Sequence, residues 1–486
     1  MKDKEIKDKF ITSFFTIGIG TLANILIGFL TTPIITRMVE PMEYGQWSIF
    51  RMYSSIALMI LCLGLDQSLV RYYYYHENIN YKKKLVKFCM GISMTITLIF
   101  LTILLGLIYF NIIYFEFSFF VALLLCINII LSVFNRFILV LLRLSGQNLK
   151  FSVCSILTKL SFAFVAIVLI LKIEKNYFIL LCVATTISMF VANIYAFIFT
   201  KNIWTKYSDW EIVNKKEILR YGLPFIISMG ITALFDGVDR ISLNYYCEYN
   251  EVGIYSSALQ VVNIFAIVQT SFNVIWTPIQ AKKIVDKTDN SQFFSKMNSY
   301  ITIVMFGFGA TFVLFKDFIV MLLGTSYRDA SSLLPFLIFH PIMYTISETT
   351  NTGIELSKKS YLYIIVGGIS CISNFIGNMI LIPVIGVKGA AISTGVSYVI
   401  FWGLRTYFSY INYRVNYKIC SFLTITFSMM IYCFFNSVSN SILWNLVGYS
   451  IIIILIIYFY KNEIFELFNI AIQYILKKIN RNRIKD

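Results

Sequence analysis

Apolar residues fill this chain in long blocks separated by short polar gaps. Fourteen blocks stand out: 11–36, 46–65, 88–110, 117–142, 151–171, 177–200, 221–245, 252–279, 298–315, 331–356, 360–384, 389–411, 419–436 and 441–460. Most have roughly the 20 residues that an α-helix needs to cross a bilayer. Residues 10–36 and 176–200 carry no charge, and 419–460 is long enough for two crossings, with Asn436–Asn440 as the turn. Inside hydrocarbon a backbone must satisfy its own hydrogen bonds, so spans of this length predict helices. The alternating strands of about ten residues that build a membrane barrel do not occur. The predicted fold class is therefore an all-α polytopic membrane protein with about 14 transmembrane helices.

Composition agrees. The chain is 58% apolar and only 14% charged, with a mean hydropathy of +0.75. The gaps hold no soluble domain, and the longest are about twenty residues. The nine cysteines form no C-x-x-C pair and sit mostly in apolar blocks, so they read as small buried hydrophobes. No P-loop or dinucleotide fingerprint opens a helix after a strand, and no nucleophile constellation or histidine cluster is present. An enzyme is not expected, nor a bound cofactor.

The net charge of +16 would suit a nucleic-acid partner if it were gathered in one place. Instead, most of the 41 basic residues fall in the N-terminal tail, the even-numbered gaps and the C-terminal tail. Among them are Lys82–Lys84, Lys215–Arg220, Lys282–Lys283, Lys358–Lys359 and the group Arg405, Arg414 and Lys418. The odd-numbered gaps hold only Arg37, Lys172, Lys175, Lys316, Arg328 and Lys388. Lys and Arg collect on the cytoplasmic side, so both termini are expected inside, with the protein in a bacterial cell membrane. Residues 316–330 read as an interfacial stretch. The amphipathic basic tail from Lys461 suits an anionic cytoplasmic leaflet.

A short pattern occurs twice. Residues 40–48 and 248–256 share E-x-x-E-x-G-x-aromatic-S at an offset of 208 residues. One copy lies between helices 1 and 2, the other between helices 7 and 8. Six intervening helices keep both halves in the same orientation, which predicts parallel repeats about an axis along the membrane normal. The expected organisation is a first lobe over 1–206, a second over 207–415, and two further helices with the tail over 416–486.

Several further short motifs accompany this repeat. They are Gly64-Leu65-Asp66 with Arg71-Tyr72, Arg220-Tyr221-Gly222-Leu223-Pro224-Phe225, Asp239-Arg240, Glu251-Val252-Gly253-Ile254-Tyr255 and Gly386-Val387-Lys388-Gly389-Ala390-Ala391. With Arg37–Ser48 they span most of the first twelve helices. In them the chain resembles the polysaccharide transport family of oligosaccharide flippases, the Wzx-like branch of the multidrug/oligosaccharidyl-lipid/polysaccharide superfamily. The resemblance implies two six-helix lobes around a central cavity, two extra C-terminal helices and export of lipid-linked glycans. It also implies a lipid tail that stays in the bilayer between helices 1 and 8.

Charges left within the spans are the candidate site, because an ionisable side chain in hydrocarbon marks a water-filled path or a buried pair. Arg51, Arg136 and Lys159 in the first half form a candidate cationic cavity for a diphosphate, which an arginine fork can hold bidentately. Each also has a plainer reading as a residue that snorkels to the interface. Asp236, Asp239 and Arg240 share one face of helix 7. They read either as a self-neutralising ion pair or as an addition of Arg240 to the cavity. Glu348 and Glu355, with Asn351 and Thr352, give helix 10 a polar stripe. With Asp239 they are the candidates for coupling to H⁺ or Na⁺. The alternative for Glu348 is a salt bridge to a basic residue. His340-Pro341 suggests a kink in the same helix.

The expected function is a flippase that moves a polyprenyl-diphosphate-linked oligosaccharide from the cytoplasmic to the outer leaflet by alternating access. Expected partners are the lipid-linked glycan, the bilayer and the glycan polymerase or glycosyltransferase machinery. The alternatives are a cation-coupled drug antiporter or a peptidoglycan-precursor flippase of the same superfamily. A glycan polymerase or ligase would need a large extracytoplasmic loop, which the chain lacks.

Overall fold

The computed structural model describes residues 2–173, 175–205, 214–285, 290–438 and 441–483, with side chains from residue 18 to residue 469. Among the described residues it is helical throughout, without a strand. It divides into two compact units. The first comprises Met1–Val274 and Leu323–Tyr327, the second Ile275–Leu322 and Arg328–Asp486, so the division falls inside one helix.

In order, the helices up to that division are α1 (Lys2–Met38), α2 (Pro41–Leu61), α3 (Leu65–Tyr72), α4 (Ile79–Tyr109), α5 (Phe119–Leu144), α6 (Asn148–Lys172), α7 (Tyr177–Trp204), α8 (Lys215–Gly222), α9 (Pro224–Tyr246), α10 (Tyr249–Val262) and α11 (Phe265–Val285). Beyond it come α12 (Ser291–Leu314), α13 (Lys316–Val320), a 3₁₀ helix (Thr325–Ser332), α14 (Leu334–Leu337), α15 (Phe339–Thr350), α16 (Thr352–Ser357), α17 (Tyr361–Ile385), α18 (Val387–Asn412), α19 (Ile419–Val438) and α20 (Ile442–Arg483).

Among the described residues, eleven helical runs are long and apolar enough to cross a membrane, and three bent pairs bring the number to 14. The bends account for most of the difference from uniform spans. α2 and α3 meet at 51°, α10 and α11 at 42°, and the 3₁₀ helix meets the helix after it at 55°. At the first, Leu63 and Gly64 take positive φ values of 53° and 63°, a conformation natural to glycine and costly for leucine. The third bend falls ahead of Pro335 rather than at Pro341. Pro341 sits in the first turn of α15, where its missing N–H breaks no helical bond. Residues 316–330, read from sequence as one interfacial stretch, become the short α13 and most of the 3₁₀ helix.

The predicted end of the fourteenth span at 460 coincides with non-helical angles at Tyr460 inside α20, after which the helix continues. The far end of the Asn436–Asn440 turn lies outside the described residues, as do the side chains of the C-terminal tail beyond residue 469.

The repeat is visible as a contact. α2 and α10 cross so closely that a methyl group at Gly45 would overlap the Tyr249 carbonyl, and one at Gly253 would overlap the Pro41 carbonyl. Gly45 stands to Gly253, and Pro41 to Tyr249, at the repeat offset. Three residues further on, Ser48 and Ser256 share a hydrogen bond of 2.7 Å across the same offset of 208. Equivalent positions that meet each other lie on a two-fold axis. The E-x-x-E-x-G-x-aromatic-S pattern is therefore the sequence trace of a symmetric helix crossing.

Candidate functional site

In the first unit, α2, α9 and α10 enclose a small polar cavity of about 120 Å³. Arg51 enters from α2 and Arg240 from α9, with Ser48, Ser256, Gln260 and Asn263 completing its polar lining. Arg51 is held by an aromatic support. Its guanidinium lies 4.8 Å from the centre of the Trp47 ring. Trp47 stacks on Phe162 at 5.2 Å and donates its indole N–H to the Thr185 hydroxyl at 2.9 Å. Trp47 and Arg51 are four residues apart, so one helix face places the ring beneath the cation.

Arg240 donates to the Ser256 hydroxyl at 3.3 Å and to the Asp236 carbonyl at 3.4 Å. It forms no ion pair with Asp236 or Asp239 among the described residues. Asp239 is buried and accepts a 2.6 Å hydrogen bond from Tyr255. The expected self-neutralising pair is thus absent: the carboxylate turns to a tyrosine of α10, and the guanidinium turns to the cavity. Lys159, on α6, lies within electrostatic range of Arg51. Among the described residues it has no hydrogen-bond or ion-pair partner. The structure therefore brings Arg51 and Arg240 together, with Lys159 nearby.

Arg136 does not join them. Its Nε and Nη2 donate at 2.9 and 2.7 Å to one oxygen of Asp66, which is fully buried. The expectation of a cation free to snorkel or to bind substrate gives way to an internal pair. In the sequence Asp66 falls just past the end of the second predicted span. The bend at Leu63–Gly64 returns it to the interior, so the Gly64-Leu65-Asp66 motif carries both the turn and the counter-charge.

In the second unit, Glu348 pairs with Arg405 at 3.0 Å, and their side chains are 17% and 7% exposed. The charge pattern groups Arg405 with a cytoplasmic gap. It lies within α18, buried, and also donates to the Ser347 hydroxyl at 2.9 Å. Glu348 is thus not the lone carboxylate that ion coupling presupposed. The polar stripe around it is knit into the fold. Trp276 donates to the Glu348 carbonyl at 3.0 Å, Gln280 to Asn351 at 2.7 Å, and Asn298 to Thr349 at 2.9 Å. Glu355 stands apart on α16, exposed, and accepts from Tyr363 at 2.5 Å. The break at Asn351 ends the shared face expected for the two glutamates. No group of side chains able to hold a metal ion occurs among the described residues.

Comparison with known proteins places this geometry. The chain is similar to a lipid II flippase, MurJ, solved in an inward closed conformation, with a TM-score of 0.70 over 92% of this chain and 99% of that one, at 15% identity. It is also similar to a multidrug resistance MATE family transporter of the MOP superfamily in an inward-facing conformation. There the TM-score is 0.55, over 85% and 99% of the two chains, at 14% identity. These likenesses establish the fold of a many-helix membrane transporter. In sequence, 226 residues are 25% identical to an uncharacterized membrane protein of Methanocaldococcus jannaschii, and the match spans 44% of each chain. The model of the polysaccharide biosynthesis protein family matches residues 10–283, more than half of the chain and the part that contains both copies of the repeated motif and the Arg51–Arg240 cavity. The chain is therefore a multi-pass membrane protein that belongs to the polysaccharide biosynthesis protein family.

Proposed function

We propose that this chain moves a polyprenyl-diphosphate-linked oligosaccharide from the cytoplasmic to the outer leaflet of a bacterial cell membrane, as a transporter without catalytic chemistry of its own. The observation that carries the reading is the polar cavity where Arg51 and Arg240 meet without a carboxylate. Two guanidinium groups that face one cavity without an ion pair among the described residues are costly in a membrane protein unless an anion completes them. A diphosphate offers several acceptor oxygens to two arginine forks, and Lys159 adds a third positive charge within range. Gln260 and Asn263 supply neutral donors beside them.

The lobes would rock to expose this cavity alternately to the two sides, with both termini cytoplasmic. A proton or Na⁺ gradient, or glycan consumption by a polymerase outside, would give direction. The drug-antiporter reading fits less well, because like charges repel a cationic drug.

The test is cellular and then biochemical. Deleting the gene should trap lipid-linked glycan in the inner leaflet and deplete surface polysaccharide. The wild-type gene should restore export, and Arg51→Ala or Arg240→Ala should not, at equal protein level. Normal surface polysaccharide in the deletion strain, with no lipid-linked intermediate accumulating, would sink the proposal.

A further inference from the structure

On α15 the accessible side chains are His340, Tyr344 and Glu348, spaced by four residues, while their neighbours on that helix are buried. Each meets one residue of α18. His340 stacks on Tyr398 with ring centres 4.2 Å apart. Tyr344 stacks on Phe401 at 5.8 Å and 13°. Glu348 pairs with Arg405 at 3.0 Å. The result is a three-rung wall, two rungs aromatic and one ionic, within the second unit. A helix face turned to lipid tails would not carry a histidine and a partly exposed ion pair, so this face borders water.

The chemistry of the wall narrows its ligand. Aromatic faces and edges offer apolar surface, while a few polar groups fix orientation. Arg405 already occupies the cation position against the rings, at 5.8 Å from Tyr344 and 5.7 Å from Phe401. A second cation would be repelled there. Glu348 cancels the arginine charge, so an anion gains little. What remains is an uncharged ligand with apolar faces and a hydroxyl rim, which describes a pyranose. The ring nitrogens of His340 have no hydrogen-bond partner among the described residues, and Glu348 is accessible to accept from a hydroxyl.

We infer that the His340–Tyr344–Glu348 face of α15, with Phe401 and Arg405 of α18, binds uncharged sugar residues of the transported glycan. The inference rests on the lipid-linked-glycan reading above and assigns the sugar to a site separate from the diphosphate cavity.

The full chain in lipid nanodiscs tests it with two probes. One is undecaprenyl diphosphate. The other is the glycan-bearing lipid extracted from host cells deleted for this gene. Wild type should bind the glycan-bearing lipid at least about tenfold more tightly, the scale expected from two aromatic contacts. Tyr344→Leu with Phe401→Leu should erase that advantage and leave undecaprenyl diphosphate binding unchanged. Tyr344→Trp should retain it, and Tyr344→Leu alone should reduce it, a milder variant that carries the test if the double variant does not fold. Arg51→Ala should weaken both probes. Equal wild-type affinity for the two probes, or an undiminished preference in the double variant, would overturn the sugar wall and leave the transport reading standing. Wild-type protein that binds neither probe would overturn the transport reading itself.

Discussion

The two units treat arginine in opposite ways. In the first, Arg51 and Arg240 line one cavity without a carboxylate partner. In the second, Arg405 is buried, bonded to Ser347 and paired with Glu348. Both situations begin as a charge inside an apolar span, and sequence periodicity cannot separate them. A paired charge belongs to the fold, because its desolvation is offset only while its partner stays. An unpaired charge is open to a ligand. Arg136 shows that the first unit also uses the paired solution, through Asp66. The difference is therefore local: it depends on whether a neighbouring helix brings a carboxylate.

The contrast can be broken by substitution, and the largest effect should come from the pair. Glu348→Gln leaves Arg405 buried against a neutral partner and should cost about 3–5 kcal/mol of stability. Replacing both, as Glu348→Gln with Arg405→Met, should recover much of the loss in thermal melts. If Glu348→Gln instead melts like the wild type and only its cation dependence changes, Glu348 is a coupling residue and the contrast fails.

The unpaired arginines should give the reverse profile. Arg51→Ala should leave the melting temperature unchanged or slightly higher, because it removes a like-charge neighbour of Arg240. It should lower glycan-lipid binding by roughly 1.5–3 kcal/mol for each lost charge-assisted hydrogen bond. Melting and binding measured on the same preparation would sharpen the comparison. A large loss of stability would place Arg51 with Arg405.

The seam between α2 and α10 tests whether the cavity needs its frame. Gly45→Ala and Gly253→Ala each put a methyl group into a backbone carbonyl, which should cost about 1–3 kcal/mol as overpacking. The two costs should match, since the positions are equivalent. Unequal costs in denaturation would argue against the two-fold.

The smallest effect concerns Asp317, outside the spans. Burial raises its pKa, but hydrogen bonds from Ser331 and Lys316 outweigh that and hold it below the usual 3.8. A carboxylate with a lowered folded pKa stabilises above the unfolded value and loses that contribution as pH falls through the folded one. Asp317→Asn should therefore be slightly destabilising at neutral pH and neutral in acid below the lowered folded pKa. Melts at both pH values check this, and an equal effect at both would remove the Asp317 ionisation from the account.

Much of the fold was legible because lipid imposes one rule on every span. Uncharged length alone gave the crossings, and the repeat offset led to a real contact at Ser48 and Ser256. The site was legible in part. Arg51, Arg240 and Lys159 were visible as charges in apolar runs, but their neighbours were not. Trp47 reads as an ordinary aromatic until α6 and α7 are packed against it. Asp66 was misplaced because a straight helix would carry it out of the membrane, whereas the positive φ at Leu63 and Gly64 turns the chain back. Arg405 was misplaced because a charge three-quarters along a span looks like the start of the next gap. Pairing is a property of two helices, and single-helix patterns do not contain it.

The helix crossing at Gly45 and Gly253 has the symmetry of a contact between two copies of one chain. A surface that meets its own equivalent through a two-fold axis is an isologous interface, the kind that closes a homodimer. A polypeptide of half this length bearing one copy of the motif would need a second molecule of itself to make this contact. A single chain joins the two copies permanently and frees them from identity. One side of the seam could then change without the other, so the cavity beneath it carries Arg51 where the opposite half carries Leu259. An asymmetric cavity beneath a symmetric joint is what a single chain permits and a homodimer forbids.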